Sequence, residues 1–275
     1  MGYTLVTGAN GLIGRALLAA LSGSRPVVAL SRRAVDSALP TVVGDFTCAT
    51  DLRRLDAYDI QAVVHLAAVT GGCSESDGLR VNVAGTRGLI RHLLDRGCRK
   101  FVLASSIAAV GLADPAFRPL EVPIPDEHPC LARDAYGLSK YLMEELARYF
   151  SRQCPDLDGL SLRLASVDDD RRLPQPQGIR PLGPWAPAGI TVMALSDAVR
   201  AFTLALDAPR RPGARVLNAA PPLAWVAVPT ARILREWYGA SVDAAYFHQP
   251  GQEFASLFDV RRVRDELGFV ADRLP

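Results

Sequence analysis

Thr7-Gly8-Ala9-Asn10-Gly11-Leu12-Ile13-Gly14 is the stretch of sequence that decides the fold. It follows an apolar run directly and leads into a segment with helical periodicity. Glycines between a strand and a helix let the backbone turn tightly and approach a pyrophosphate, and the helix N-terminus offers amide groups and partial positive charge. In this context we expect a dinucleotide-binding loop rather than a simple turn at a helix start. The residues expected to contact the dinucleotide here are Gly8, Asn10, Gly11, Leu12, Ile13 and Gly14.

Short apolar runs alternate with helix-period segments over the first two-thirds of the chain. This order predicts an α/β fold, a Rossmann-like doubly wound parallel sheet covered by helices on both faces. The apolar runs lack strict alternation, as strands buried on both faces should. The predicted strands are Tyr3 to Thr7, Pro26 to Leu30, Thr41 to Val43, Ala62 to Leu66, Phe101 to Ala104 and Leu160 to Leu164. The predicted helices are Leu12 to Leu21, about Arg80 to Arg96 and about Ala135 to Ser151.

The pattern changes after Leu164. Residues 171–190 are rich in proline and glycine, which predicts a loop or lid. Beyond them we predict a helix from Ser196 to Leu206 capped by Ser196 or Asp197, a strand from Arg215 to Asn218, and helices from Pro229 to Trp237 and Val260 to Leu267. This part is too short for an independent core. We therefore expect residues 1–165 to form a nucleotide-binding domain and residues 166–275 a small C-terminal substrate-binding lobe packed on it.

Composition excludes several classes of function. The 31 basic and 29 acidic residues leave a net charge of +2, which provides no basic field for a nucleic-acid partner. No apolar run approaches the ~18 residues that span a membrane, and no leader is visible, so we expect a cytoplasmic protein with no membrane partner. The five cysteines never form a CxxC pair, which favours free thiols. No spacing of the scattered histidines and cysteines indicates a metal site.

A tyrosine and a lysine lie four residues apart at the start of a predicted helix, in Ala135-Tyr136-Gly137-Leu138-Ser139-Lys140. This spacing puts both side chains on one face. An ammonium close to a phenol favours the phenolate, so Tyr136 would exchange a proton with a substrate oxygen. An ordinary amphipathic pair is disfavoured, because the chain has two lysines against 29 arginines and one of them occupies this position.

The glycine spacing together with the YxxxK pair resembles the short-chain dehydrogenase/reductase superfamily, in particular its extended, epimerase/dehydratase-like branch. The resemblance implies a Ser-Tyr-Lys set, with Ser106 as the catalytic serine that donates a hydrogen bond to the reacting carbonyl. Val110 stands where the family pattern has a tyrosine before glycine. The segments starting at Ser196 and Glu266 resemble the branch as well, so the resemblance covers almost the whole chain.

The resemblance also places the cofactor contacts. NAD-preferring members carry an acid at the end of the second strand, but this chain has Leu30-Ser31-Arg32-Arg33 there. Ser31 with Arg32 or Arg33 would suit a 2′-phosphate, so we predict NADP, with NAD as the alternative. Solvated surface is the competing interpretation of the two arginines.

Three further positions follow from the resemblance. Asp45 and Phe46 follow the third strand, where an aspartate contacts adenine, although Asp45 could instead cap a helix. The segment His65-Leu66-Ala67-Ala68 lines the nicotinamide side through Leu66, Ala67 and Ala68, with His65 as a structural histidine. Asn82 matches an asparagine behind the lysine, with a buried helix-start residue as the alternative.

The substrate is less clearly marked. Nucleotide-sugar enzymes of the branch follow the sixth strand with an asparagine and a Gly-Pro turn, and this chain has neither. Compact relatives such as uronate dehydrogenases have a serine and then an arginine after this strand. Ser166 with Arg171 or Arg172 could clamp a carboxylate or hydroxyls. An exposed loop is the alternative for the two arginines. Thr70 is a further substrate candidate.

Together these features predict an NADP-dependent oxidoreductase that transfers hydride between nicotinamide and a carbonyl or alcohol of a small polar substrate, such as a sugar-like molecule. The first alternative is a sugar epimerase or dehydratase with a tightly bound cofactor. The second is a non-catalytic dinucleotide-sensing protein, which the intact Ser-Tyr-Lys set disfavours. A homodimer is possible through the helices around Leu89 and Leu142.

Overall fold

Seven parallel strands form the central sheet in the computed structural model, which describes residues 2–179 and 186–275, and the side chains of residues 2–179 and 188–275. Together with the two strands of a second, smaller sheet, the strands in the described residues are β1 Tyr3–Thr7, β2 Val27–Ser31, β3 Thr41–Val43, β4 Ile60–His65, β5 Lys100–Ser106, β6 Asp158–Leu164, β7 Ser166–Asp168, β8 Val192–Ala194 and β9 Gly213–Ala219. The sheet order is β3-β2-β1-β4-β5-β6-β9, and β7 pairs with β8 in a separate two-stranded parallel sheet.

Helices cover both faces of the sheet. They are α1 Leu12–Leu21, α2 Ala49–Leu52, α3 Glu75–Asp77, α4 Thr86–Leu94, α5 Ala135–Gln153, α6 Ala186–Gly189, α7 Leu195–Asp207, α8 Thr230–Tyr238 and α9 Arg261–Leu267. A π-helical segment, Gly78–Gly85, joins α3 to α4, and short 3₁₀ turns lie at Arg53–Ala57, Ile107–Val110, Gly239–Ser241 and Ala245–His248. No helix in the described part of the chain is long and apolar enough to cross a membrane.

Successive residues of one strand enter different cores. Leu5 of β1 packs in the core with Phe150 of α5, whereas Val6 packs in the core that contains Leu17 of α1 and Phe202 of α7. Because side chains alternate across a strand, these two cores lie on opposite faces of the sheet. Both faces of the sheet are therefore apolar, which explains why the strands lack polar alternation.

The strand order reverses between β1 and β4. From β1 the chain proceeds to β2 and β3 on one side, and β4, β5 and β6 follow on the other. In doubly wound sheets a crevice opens at such a switch point beyond the carboxyl ends of the strands. The loops after β1 and β4 therefore meet where a ligand binds in folds of this kind.

The predicted α/β fold is confirmed, and most predicted elements differ from the observed ones by one or two residues. The predicted helix from Arg80 begins earlier, at Glu75, and is π-helical over part of its length. The predicted cap of α7 is wrong. The helix starts after Ala194 without a side-chain cap, because the carboxylate of Asp197 instead accepts hydrogen bonds from the backbone amides of Asp272 and Arg273.

The predicted loop or lid is described only in part, since Arg180, Pro181, Leu182, Gly183, Pro184 and Trp185 lie outside the described residues. Before this gap, the indole of Trp225 donates to the carbonyl of Pro174, and the amide of Gln177 donates to the carbonyl of Trp225. After it, the single turn of α6 interrupts the predicted loop. The predicted domain boundary at residue 165 remains a prediction, and β9, from beyond it, pairs with β6 in the central sheet.

Lys100 has a structural position that the sequence did not indicate. Its ammonium, at the start of β5, donates to the carbonyls of Leu206 and Ala208 at the end of α7. These carbonyls have no partner within the helix and carry its partial negative charge, so a buried cation stabilises the helix end. Lys100 thus fastens α7 to the sheet.

Replacing Lys100 by methionine tests this contact. We expect Lys100→Met to lower the free energy of unfolding by about 1–3 kcal/mol, because two buried carbonyls lose their donor. Urea denaturation measures the change. Arg87→Met, at an exposed position of α4, is the control and should change stability by less than about 0.5 kcal/mol. Equal stability of both variants would contradict the capping role.

Candidate active site

A cavity of about 880 Å³ opens beyond the carboxyl ends of the central strands. It runs from the ends of β1 and β2, past the ends of β4 and β5, to the residues after β6. The structure brings most of the predicted site residues together around it. The exceptions are Arg33, Asn82, Arg171 and Arg172, which do not line it.

The glycine loop forms one wall of the cavity by direct contact of backbone with backbone. Gly8 has φ +69°, and a Cβ there would lie 2.7 Å from the amide nitrogen of Ala67. A Cβ on Gly14 would lie 2.2 Å from the carbonyl oxygen of Gly8. Helix α1 begins after Gly11 without a side-chain cap and without an acid in its first turn. The helix N-terminus is therefore open to an anion, which fits a dinucleotide pyrophosphate.

The end of β2 forms the second wall. The amide of Asn10 donates to the hydroxyl of Ser31 at 2.9 Å and also to the backbone carbonyls of Arg33 and Ala34. Ser31 and Arg32 line the cavity, whereas Arg33 is exposed outside it. Asn10 thus holds the β2 loop against the glycine loop, and residues 31–33 at the end of β2 carry no carboxylate.

Asp45 and Phe46 line the cavity beside Ser31. One carboxylate oxygen of Asp45 accepts from the amide and the hydroxyl of Thr47, both at 2.8 Å. Helix α2 begins later, after Cys48, and has no side-chain cap. Asp45 therefore stabilises the turn after β3 rather than capping a helix, and its carboxylate is part of the cavity wall.

Ser106, Tyr136 and Lys140 meet at the other end of the cavity. Ser106 ends β5, and its hydroxyl accepts from the amide of Ala108 at 3.1 Å. Tyr136 and Lys140 lie one helical turn apart on α5, whose start is capped by the carboxylate of Asp134, which accepts from the amide of Gly137. The strand end and the helix start thus place a hydroxyl, a phenol and an ammonium on one wall.

Burial sets the acid–base properties of this wall. It raises the pKa of Tyr136, whereas a hydrogen bond with the hydroxyl of Ser106 acts to lower it. Burial also lowers the pKa of Lys140 to about 8, while the carboxylate of Glu144 acts to raise it. The ammonium donates to the carbonyl of Ala104 at 2.7 Å and lies 5.6 Å from the centre of the Tyr136 ring. The pKa of Lys140 is therefore shifted towards neutral pH, whereas that of Tyr136 is raised, contrary to the expectation that the nearby ammonium would favour the phenolate.

His65 is a buried structural histidine rather than a wall residue. Its two ring nitrogens hydrogen-bond with the hydroxyls of Thr7 and Thr86, at 2.7 and 2.8 Å. Burial, and then the charge of Lys140, lower the pKa of His65 to about 3, so the ring is neutral at neutral pH. It joins the ends of β1 and β4 to the start of α4.

Asn82 lies outside the cavity lining and holds the loop after β4 and the start of α5 in place. In the π-helical segment, its side-chain oxygen accepts from the amide of Val69 at 2.8 Å, and its nitrogen donates to the carbonyl of Val69 and the hydroxyl of Ser139. The hydroxyl of Ser139 in turn donates to the carbonyl of Tyr136. All the polar atoms of Asn82 are thus used within the fold, so its role is to position the loop after β4 and the start of α5. Short π-helical insertions are frequent at functional sites.

The substrate candidates separate into two groups. Thr70 and Ser166 line the cavity. Arg171 and Arg172 are exposed, and their backbone amides bind Asp169 in a turn that leaves both outside the lining. Arg80, which the sequence did not single out, does line the cavity. Its proximity to Asn82 in the sequence was no guide, because residues two apart on a helix point in different directions, so only the packing of separate elements shows that Arg80 lines the cavity.

No group of histidine, cysteine and acidic side chains in the described ranges is arranged to hold a metal ion. The cysteines in those ranges are free thiols. The candidate site is therefore formed by the glycine loop, the end of β2 and the wall that carries Ser106, Tyr136 and Lys140.

The fold and this arrangement define an extended short-chain dehydrogenase/reductase. Residues 4–168 match the model of the NAD dependent epimerase/dehydratase family, and the chain belongs to that family. The sequence-based assignment to this branch is thereby confirmed.

Curated relatives match part of the chain at about one-third identity. It is 31% identical over 156 residues to UDP-glucose 4-epimerase of Azospirillum brasilense, a match that covers 52% of this chain and 43% of the relative. It is 31% identical over 187 residues to the NAD-dependent glucose-6-phosphate dehydrogenase of Haloferax volcanii, covering 59% of this chain and 68% of the relative. The match thus spans less than half the length of the epimerase.

Solved structures extend the similarity over the whole chain. MoeE5 in complex with UDP-glucuronic acid and NAD has a TM-score of 0.73 and 25% identity, over 99% of this chain and 95% of the other. The similarity in fold therefore continues past residue 168, where the family match ends.

Gly14→Ala tests the backbone packing that shapes the glycine loop. A methyl group 2.2 Å from the carbonyl of Gly8 forces the loop apart, so we expect a loss of about 1–3 kcal/mol in unfolding free energy. Gly88→Ala is the control, because a Cβ on that glycine of α4 meets nothing within 4 Å. It should be neutral or stabilise by up to about 1 kcal/mol. Thermal and urea unfolding of both variants measure the difference, and similar effects would contradict the close approach.

Proposed function

We propose that the protein is an NADP-dependent oxidoreductase that transfers hydride between nicotinamide and a carbonyl or alcohol of a small, polar, sugar-like substrate. One observation carries the proposal: Ser106, Tyr136 and Lys140 converge on the same cavity that the glycine loop borders. The family fixes a nicotinamide cofactor in general terms, and the finer choice of NADP and of reaction rests on the residues of this chain.

Each residue of the wall has a role in moving one proton. When bound, the nicotinamide supplies or accepts the hydride. Burial keeps the Tyr136 phenol protonated, so it can donate to a substrate oxygen when a carbonyl is reduced. Ser106 holds that oxygen by a hydrogen bond. Lys140 stabilises the phenolate that remains and is placed to hold the cofactor ribose.

NADP is supported by the β2 end. Ser31 and Arg32 line the cavity, and no acid stands there to exclude a 2′-phosphate. A guanidinium and a hydroxyl form charge-assisted hydrogen bonds with a phosphate monoester. The glucose-6-phosphate dehydrogenase of Haloferax volcanii is NAD-dependent and the MoeE5 structure contains NAD, so this part of the proposal distinguishes the chain from both and is open to direct measurement.

The cofactor preference is tested by Arg32→Ala and Ser31→Asp. We expect Arg32→Ala to weaken NADPH binding by about tenfold and to leave NADH binding nearly unchanged, since one charge-assisted contact is lost. Ser31→Asp should reverse the preference by repelling the 2′-phosphate. Arg152→Ala is the control, because its position near the end of α5 lies about 24 Å along the helix from Tyr136. Fluorescence titration measures both affinities, and an NADH preference in the parent protein would overturn the NADP assignment.

The substrate end favours a polar molecule with an anionic group. Thr70 and Ser166 offer hydroxyls, and Arg80 offers a guanidinium that is 64% exposed and paired with Asp77 at 2.9 Å. An exposed ion pair exchanges partners at little cost. A carboxylate or phosphate of a sugar could bind this guanidinium. In this proposal Arg80 replaces Arg171 and Arg172, which the sequence had suggested as the residues that bind the substrate.

A sugar epimerase with a tightly bound cofactor is the second candidate, favoured by the match to UDP-glucose 4-epimerase. The two candidates differ in cofactor turnover. A dehydrogenase changes absorbance at the nicotinamide band in proportion to product, whereas an epimerase shows no net change and purifies with nucleotide attached. The same measurement made on a panel of hydroxy and keto sugars separates them.

The predicted homodimer stays a proposal. Leu89 lies in the hydrophobic core, so a dimer face on α4 would have to use other side chains. On α5, the helix that contains Leu142, Tyr149 is 43% exposed and lies on the surface.

Tyr136→Phe tests the proton transfer. We expect kcat to fall by a factor of about 100 or more, because the phenol no longer exchanges a proton, while NADPH affinity changes little. Tyr149→Phe, an exposed tyrosine of the same helix, is the control and should leave kcat unchanged. Steady-state kinetics on a substrate found in the panel provides the comparison. Unchanged turnover in Tyr136→Phe would overturn the assignment of Tyr136 as the residue that transfers the proton.

A further inference from the structure

A fully buried ion pair lies behind the Ser-Tyr-Lys wall. Glu144 of α5 and Arg163 of β6 have side chains that are 0% and 2% exposed. The guanidinium binds the carboxylate with two parallel hydrogen bonds, from Nε to Oε1 at 2.9 Å and from Nη2 to Oε2 at 2.8 Å. The mechanism derived above uses neither residue.

The pair is tied to the elements that carry the wall. The hydroxyl of Ser105, the neighbour of Ser106, donates to Oε1 of Glu144 at 2.6 Å. The remaining nitrogen of Arg163 donates to the carbonyl of Asp126 at 3.0 Å, in the long connection between β5 and α5. Glu144 therefore holds the end of β5 against α5, and the guanidinium of Arg163 on β6 fixes the position of the Glu144 carboxylate.

Stability alone does not explain such a pair. A buried ion pair loses most of its Coulomb gain to desolvation, and apolar residues of the same volume are often as stabilising. A fixed charge in a low-dielectric interior does act strongly on other charges close to it. The relevant neighbour is Lys140, which lies one helical turn before Glu144 on the same helix.

Lys140 is buried where its charge is costly. The groups that face it are Tyr136 and Glu144 on α5, the carbonyl of Ala104 on β5, and the neutral His65 on β4. Glu144 is the carboxylate among the groups that act on it. Without that anion, burial would favour the uncharged amine, which can neither stabilise a phenolate nor carry positive charge to a cofactor.

We infer that Glu144 is a positioning residue for Lys140: held by Arg163 and Ser105, its fixed negative charge keeps the lysine in the ammonium form that the wall requires. The inference concerns the state of Lys140 and rests on the proposed function for what that ammonium does. It predicts an effect on Lys140 that can be read in the protein without substrate or cofactor.

The composition of the chain makes the measurement simple. Selective ¹³C labelling of lysine Cε gives signals from Lys100 and Lys140 alone, because the chain has two lysines. Titration by NMR then gives the pKa of each. We expect Glu144→Gln to lower the pKa of Lys140 from about 8 to about 7 or below, with Lys100 unchanged. Glu145→Gln is the control, because Glu145 is the next residue on α5 and pairs with Arg148 at the surface.

The direction of the change separates charge from loosened packing. If Glu144→Gln acted by admitting water, the pKa of Lys140 would rise toward its ordinary value near 10.4, since the cost of burial would fall. Arg163→Lys gives a second comparison. It keeps Glu144 charged while breaking the paired hydrogen bonds, so stability should fall and the pKa of Lys140 should stay within about half a unit of the parent. A rise, or no change, in Glu144→Gln would overturn the inference.

A double variant covers the case in which Glu144→Gln does not fold. Glu144→Gln/Arg163→Met removes both charges together and avoids an uncompensated buried guanidinium. It should lower the pKa of Lys140 by less than Glu144→Gln does, because the repulsion by the guanidinium is removed together with the attraction by the carboxylate, and a parental value in this variant overturns the inference. Glu144→Asp, which keeps the charge, should retain a value near the parent.

NADPH titration at several pH values links the result to the proposed function while keeping the two separable. In Glu144→Gln we expect NADPH affinity to decline at a pH about one unit lower than in the parent, as Lys140 loses its proton. A lowered pKa of Lys140 with an affinity that does not depend on pH would support the role of Glu144. It would contradict the role proposed for Lys140 in holding the cofactor.

Discussion

Backbone packs directly on backbone where β1 turns into α1, and the rest of the site depends on this contact. Gly8 leaves no room for a side chain against Ala67, and Gly14 leaves none against Gly8. The turn therefore brings the start of α1 to the exit of β4, which is the switch point of the sheet. Beneath it, His65 joins Thr7 to Thr86 by hydrogen bonds. The glycine loop, the end of β4 and the start of α4 are thereby held as one unit.

The opposite end of the cavity depends on buried polar groups rather than on glycine. Asn82 ties the loop after β4 to α5, and the Glu144–Arg163 pair ties α5 to β5 and β6. The side chains of Asn82, Glu144 and Arg163 are buried, so a lost partner is costly and the geometry is rigid. This rigidity brings a hydroxyl, a phenol and an ammonium together at the carboxyl ends of strands that are distant in sequence.

The two lysines illustrate what the sequence could and could not predict. Lys140 was recognisable because its spacing from Tyr136 is local, within one helical turn. Lys100 was not, because the carbonyls it caps belong to α7, about a hundred residues later in the chain. The strands and the glycine loop were predictable in the same way as Lys140, from local sequence pattern. Arg80 and the Glu144–Arg163 pair were not, because only the packing of separate elements brings them to the site. The two arginines at 171 and 172 were singled out by sequence order after β6, and the turn at Asp169 directs their backbone away from the cavity.

The most direct test of the central claim is a crystal structure of the protein with NADPH. We expect the pyrophosphate at the N-terminus of α1, the 2′-phosphate beside Ser31 and Arg32, and the nicotinamide ribose within hydrogen-bond distance of the Lys140 ammonium. Nicotinamide bound away from Tyr136 and Ser106, or a nucleotide bound outside the cavity, would contradict it.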